Sequence, residues 1–158
     1  MKVFATLSNG VQVKSPLSFA KAKAKLKYEQ RILSRRTKGS NRKNKQKLRV
    51  ARLHGKIANQ RSDFLHKFTN LVANNFDVIC VETLDIKGMQ QKFGKSFNSK
   101  LADVSISETV RQLEYKANWK GKQFVRIDKW FPSSKLCSQC GTIHQMPLSQ
   151  RARNCSCG

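Results

Sequence analysis

Acidic residues are scarce in this chain. It holds 9 Asp and Glu against 32 Lys and Arg in 158 residues, a formal net charge of +23. The deficit decides nothing about fold, but it selects polyanions as partners, held by contacts that salt weakens. Nucleic acid leads an acidic membrane surface, because no strongly apolar helix face accompanies the charge. A run of about 18 apolar residues is also missing, which excludes a membrane-spanning helix. The opening MKVFATLSNG has no long apolar stretch and so does not read as a signal peptide. No internal repeat is present. Without a secretory leader, the five cysteines belong to a reducing compartment, where disulfides do not persist.

What is present suffices for one domain, with or without a small appendage: 39% of the residues are hydrophobic. Residues 3–14 are two short β-type runs around Asn9-Gly10, a pair that tolerates the positive φ angles of a hairpin turn. Residues 17–36 and 42–74 read as helices separated by TKGSN, with Gly39 as the breaker. Ser18 is the candidate cap of the first helix, and Phe19, Leu26 and Leu33 fall near one of its faces. Val50, Leu53, Ile57, Phe64, Phe68 and Leu71 recur at helical spacing in the second. The remaining positions are crowded with cations, among them Lys27, Arg31, Arg35, Arg36, Arg42, Lys45, Arg49, Arg52, Lys56 and Arg61, opposed only by Glu29 and Asp63. Such rows repel one another unless an anion lies alongside, so the pair reads as a contact surface for a nucleic-acid backbone. The plainer reading is a solvated face.

DVICVETL (77–84) reads as a buried strand, with Cys80 as one of its apolar residues. Residues 86–100 read as an exposed loop or short helix. Residues 105–120 read as a helix capped by Ser105 or Ser107, with Glu108 in the first turn and Gly121 after its end. QFVRIDKWF (123–131) reads as a strand. Trp119, Trp130 and Phe131 would stack bases if exposed, but at helix and strand positions they are expected in the core. The order of hairpin, helices, strand, helix and strand predicts an α/β sheet with helices on its faces.

Cys137-x-x-Cys140 and Cys155-x-Cys157 lie at the C-terminal end of the sequence. Two close thiol pairs brought together supply the four soft ligands of a tetrahedral zinc site, closed and structural rather than catalytic. Gly141 and Gly158 follow the pairs and suit tight turns. His144 lies between them and reads as a solvated loop residue. Glu82 ends a buried strand, where a carboxylate points into the crevice above an α/β sheet. Two-metal chemistry there requires several converging carboxylates, and Asp85 and Asp128 are the other acids in range.

FATLSNG, KLRVARLHGKIANQRSDFLHK, VICVETLDIKGM, RQLEYKANWKGKQFVRIDKWFPSSKLCSQCG and MPLSQR together resemble the TnpB (OrfB) proteins of bacterial and archaeal insertion sequences. The resemblance covers essentially the whole chain. It implies an RNase H-like (RuvC-type) nuclease sheet over residues 1–131, carrying the basic helical pair 17–74, and a zinc ribbon over 132–158. It implies a Mg²⁺-dependent DNA endonuclease directed by a guide RNA, with DNA and RNA as partners in a bacterial or archaeal cytoplasm, associated with the nucleoid. Glu82 matches the second of that family's three acidic residues, in its V-E-x-L strand. The first lies in a G-I-D-x-G strand expected before the hairpin, and the third in a D-R-D-x-N-A-A segment expected after the cysteines. Neither motif occurs in these 158 residues, nor do the family's N-terminal recognition domains. The expectation is therefore an incomplete RuvC-type sheet, a ribbon incomplete at its exit, doubtful Mg²⁺ binding and no nuclease activity alone. Two other readings stand beside it: a non-catalytic nucleic-acid-binding module, and a chain that docks on a full-length relative.

Overall fold

The computed structural model describes residues 3–133, 135–137, 139–145, 147 and 154–157. Of the MPLSQR segment only Pro147 is among them, and Gly158, expected to close the second thiol turn, lies outside them. The described residues form a mixed α/β structure with two small sheets.

Strands β1 (Val3–Thr6) and β2 (Gln12–Lys14) pair antiparallel. Gly10 takes φ 81° in the connecting turn, and the Asn9 side chain accepts a hydrogen bond from the Val11 amide at 3.1 Å. Helix α1 (Ser18–Arg35) follows, then α2 (Asn41–Asn75). Gly39 (φ 84°) permits the reversal between them, and Ser40 caps α2 by accepting from the Lys43 amide at 3.2 Å. Ser18 does not cap α1. The cap position is Leu17, in a left-handed conformation at φ 51°, and Ser18 is a buried residue of the first turn. The free amide of Phe19 is satisfied from far along the chain, donating to Asp103 at 3.2 Å.

The 35 residues of α2 serve two cores. Its N-terminal half packs on α1 through Leu26, Val50 and Ile57, with Phe19, Ala22, Leu33 and Leu53 around them. Buried Gln46 fixes the pair by donating to the Glu29 carbonyl (3.0 Å) and carboxylate (2.6 Å). Its C-terminal half places Phe68, Val72 and Ala73 against Ile79, Leu113 and Ala117, and Phe4 of the hairpin packs edge-on to Phe64 and Phe68.

Strand β3 (Val78–Glu82) pairs parallel with β4 (Gln123–Ile127), from Val78 opposite Gln123 to Glu82 opposite Ile127. Between them the chain forms α3 (Ile86–Lys92), α4 (Lys95–Val104) and α5 (Ile106–Trp119). Several expectations change here. Residues 86–100 lie mostly in two helices, and α4 is anchored by Leu101 and Val104 at 3% and 5% exposure. Ser105 stands at the start of α5, but in a left-handed conformation (φ 52°) without a capping bond, and its hydroxyl donates back to Ala102. Strand β3 is covered on one face only: Ile79 is buried, whereas Val78 and Cys80 are exposed. β4 ends at Ile127, and residues after it form a turn. Consequently Trp130 (82% exposed) and Phe131 (47%) are not core residues, and neither is Trp119 (80%), the last residue of α5. Among the described residues no helix is long and apolar enough to cross a membrane.

Candidate metal centre, carboxylate crevice and basic helix faces

The first thiol pair sits on a tight knuckle. Leu136 and Ile143 form an antiparallel bridge, the Cys137 amide donates to Thr142 (3.0 Å), and the Gly141 amide donates back to Cys137 (3.0 Å). Gly141 takes φ 70°, which a residue with a Cβ adopts only under strain. The Cys137 and Cys157 sulfurs stand 3.5 Å apart, those of Cys140 and Cys155 3.7 Å apart, and all four lie within 4.8 Å of one another. Four sulfurs about 2.3 Å from a central ion would be about 3.8 Å from each other. The spacing thus fits one tetrahedral ion and is far too long for disulfides. The four cysteines can hold a metal ion.

Their acidities differ. The Thr142 hydroxyl and amide hold the Cys140 thiol down to about 6. Backbone amides of Cys140 and Gln139 lower Cys137. Cys157, hydrogen-bonded to the three other thiols with Cys155 first, is pushed up to about 12. Crowded thiols share protons, and a cation among them would replace those protons. His144, expected in solvent, instead lies with Nε2 3.4 Å from the Cys155 sulfur.

The carboxylates are arranged differently. Glu82 ends β3, and its Oε1 accepts from the Ser133 hydroxyl at 3.1 Å. Asp85 caps α3: the Gly88 amide (2.9 Å) and then Lys129 Nζ (3.0 Å) lower its pKa below the usual carboxylate value. Asp128 accepts from the Trp130 amide at 2.7 Å. Among the described residues these three acids do not gather into a metal-binding group, so they do not fit a two-metal Mg²⁺ site. Six of the chain's nine acids are paired with cations: Asp63, Asp77, Asp85, Asp103, Glu108 and Glu114. Glu82 is held by a hydroxyl alone among the described contacts, although Lys and Arg abound.

Nine of the ten candidate nucleic-acid contacts are exposed: Lys27, Arg31, Arg35, Arg36, Arg42, Lys45, Arg49, Arg52 and Lys56. Positions 27, 31 and 35 form a row of spacing four on α1, and positions 42, 45, 49, 52 and 56 form a stripe of alternating three and four on α2. Lys25, Arg49, Arg52 and Lys56 border a groove of about 330 Å³ between the helices. Arg61 is different. It is half-buried and held by Asp103 at 3.4 Å, where it ties α2 to α4. Sequence reasoning missed Ser133 and Lys129, whose partners lie 51 and 44 residues away. The one local signal was Asp128 two residues before Trp130, the spacing of a side-chain-to-backbone turn.

The fold and these sites define a strongly basic α/β protein with four thiols that can hold a metal ion and an exposed carboxylate at a parallel strand end. The profile of an insertion-sequence family (OrfB), described as "Probable transposase", matches residues 1–92, and that of a "Cas12f1-like, TNB domain" matches residues 107–158. A "Putative RNA-guided DNA endonuclease" of Streptomyces pristinaespiralis is 38% identical over 97% of this chain and 38% of its own length. InsQ of Escherichia coli K12, with the same description, is 36% identical over 96% of this chain and 41% of its own. A TnpB-like protein of Acanthamoeba polyphaga mimivirus is 28% identical over 75% of this chain. The chain belongs to the TnpB (OrfB) family of insertion-sequence proteins, and it spans about two-fifths of the length of the first two relatives.

Proposed function

We propose that this chain is the nuclease-sheet and ribbon portion of a transposon-encoded, RNA-guided DNA endonuclease, with an RNase H-like ancestry for the β3–α5–β4 unit. It binds nucleic acid through the exposed rows of α1 and α2 and zinc through Cys137, Cys140, Cys155 and Cys157. Zinc held by these four sulfurs would supply a structural cross-link, with no position left open for catalysis. The observation that carries the reading is Glu82, exposed at the end of a strand paired in parallel with β4, the position such a carboxylate takes in an open α/β sheet. Its neighbours Asp85 and Asp128 are committed to Lys129, Gly88 and the Trp130 amide. The 158-residue polypeptide alone is therefore inactive as a nuclease.

The tests are direct. Purified chain with Mg²⁺ and single-stranded or duplex DNA should give no cleavage above a Glu82→Ala control, and a Glu82-dependent cut overturns the proposal of inactivity. Metal analysis of reduced protein should find about one zinc per chain, and less than about half counts against the metal assignment. A second reading, a binding module without chemistry, is favoured by the separate core of the basic helix pair, which does not depend on the sheet. It is distinguished by the full-length relative: added to that nuclease, the chain would compete for nucleic acid rather than restore cleavage to a Glu-deficient form.

A further inference from the structure

Trp130 is the most exposed large apolar side chain among the described residues, at 82%. It is nonetheless held in place. Its amide donates to Asp128 Oδ1 at 2.7 Å, the Phe131 amide donates to the Asp128 carbonyl at 3.1 Å, and the Ser133 amide donates to the Phe131 carbonyl at 2.8 Å. Pro132 stiffens the exit. Lys129 Nζ sits 5.1 Å from the indole centroid while paired to Asp85, so one ring face carries a cation and the other is open to solvent. The same turn delivers the Ser133 hydroxyl to Glu82.

We propose that the 128–133 turn is a base-stacking platform for single-stranded nucleic acid, with a base on the open face of Trp130 and the adjoining backbone beside Glu82. The inference rests on the nucleic-acid reading above and specifies where an unpaired strand lies. A flat aromatic face in water stacks on any base, and a neighbouring ammonium attracts the phosphates on either side. The net charge of +23 favours this occupant over a protein strand. Trp119 provides an internal control: it is equally exposed but lies before β4, whose five residues put roughly 16 Å between its ends.

The test uses the purified, reduced chain at low salt in two single-tryptophan forms, Trp119→Phe and Trp130→Phe, titrated with a short oligothymidylate and, separately, with inorganic polyphosphate. Trp130 emission should be quenched by the oligonucleotide over the binding range and not by polyphosphate, while Trp119 emission stays unchanged. Trp130→Ala should weaken oligothymidylate binding about tenfold or more and leave polyphosphate binding unaltered. Oligothymidylate binding with no response from Trp130 and no loss in Trp130→Ala overturns the platform while leaving the basic helices as a binding surface. Quenching of both tryptophans alike also overturns it, since the contact would then be unspecific. If neither polyanion binds, the nucleic-acid reading fails and the platform with it.

Discussion

Four thiols lie between positions 137 and 157 and three carboxylates between 82 and 128, and the thiols converge while the carboxylates do not. Cys137 and Cys140 are placed by one knuckle whose hydrogen bonds span nine residues or fewer, and a second close pair completes the set within 4.8 Å. Glu82, Asp85 and Asp128 come from a strand end, a helix cap and a turn, and each has a partner of its own. Ligands that are neighbours along the chain need little else to assemble. Ligands on separate elements assemble only when the packing of the whole sheet brings them together, and here a hydroxyl, an ammonium and backbone amides claim them one by one.

Removing metal is the strongest way to sharpen that contrast. Chelation, or Cys140→Ser, should release the metal and unfold the knuckle, since structural zinc contributes on the order of 10 kcal/mol to such sites. Helicity from α1, α2 and α5 should persist by circular dichroism, because their cores contain none of the four thiols. Loss of both together would mean that the two regions fold as one unit. Next in size, Leu113→Ala, at 5% exposure, should cost about 3 kcal/mol in denaturant unfolding without changing metal content.

The basic rows should act on affinity rather than stability. Arg49→Ala and Arg52→Ala should each lower the slope of log affinity against log salt by about 0.9 on duplex DNA. Arg61→Ala should instead destabilise the fold, because it leaves Asp103 buried without its ion pair. The smallest effect concerns Glu108, which Arg111 and then Gln112 hold down to about 2. Its folded pKa is depressed, so its contribution is present above about 4.5 and is lost as pH falls toward about 2. The pair is well exposed, with side chains 64% and 40% accessible, so screening reduces the contribution to about 1 kcal/mol. Glu108→Gln should lower the unfolding midpoint at neutral pH and converge with the parent chain near pH 2.

Much was legible from residues alone. Asn9-Gly10, Gly39, the spacing through Val50, Ile57 and Phe68, and the apolar run ending at Glu82 announce elements that form close to where they were expected. The thiol pairs were equally plain. The aromatic residues were not. Strand periodicity assigns Trp130 and Phe131 to a core, but Asp128 captures the Trp130 amide and ends β4 before them. Helix α4 was also hidden, because KSFNSKLADV is polar and its burial of Leu101 and Val104 depends on distant neighbours.

The sequence by itself determined the charge, the family, the hairpin, the two long helices and the four thiols that can hold a metal ion, because each depends on composition or on residues a few positions apart. Only the tertiary structure decided that Arg61 is a structural ion pair, that Asp103 completes the start of α1, that β3 keeps one bare face, that Glu82 accepts from Ser133, and that Trp130 is exposed. Those outcomes depend on contacts across tens of residues, where burial and competition among hydrogen-bond partners override local preference.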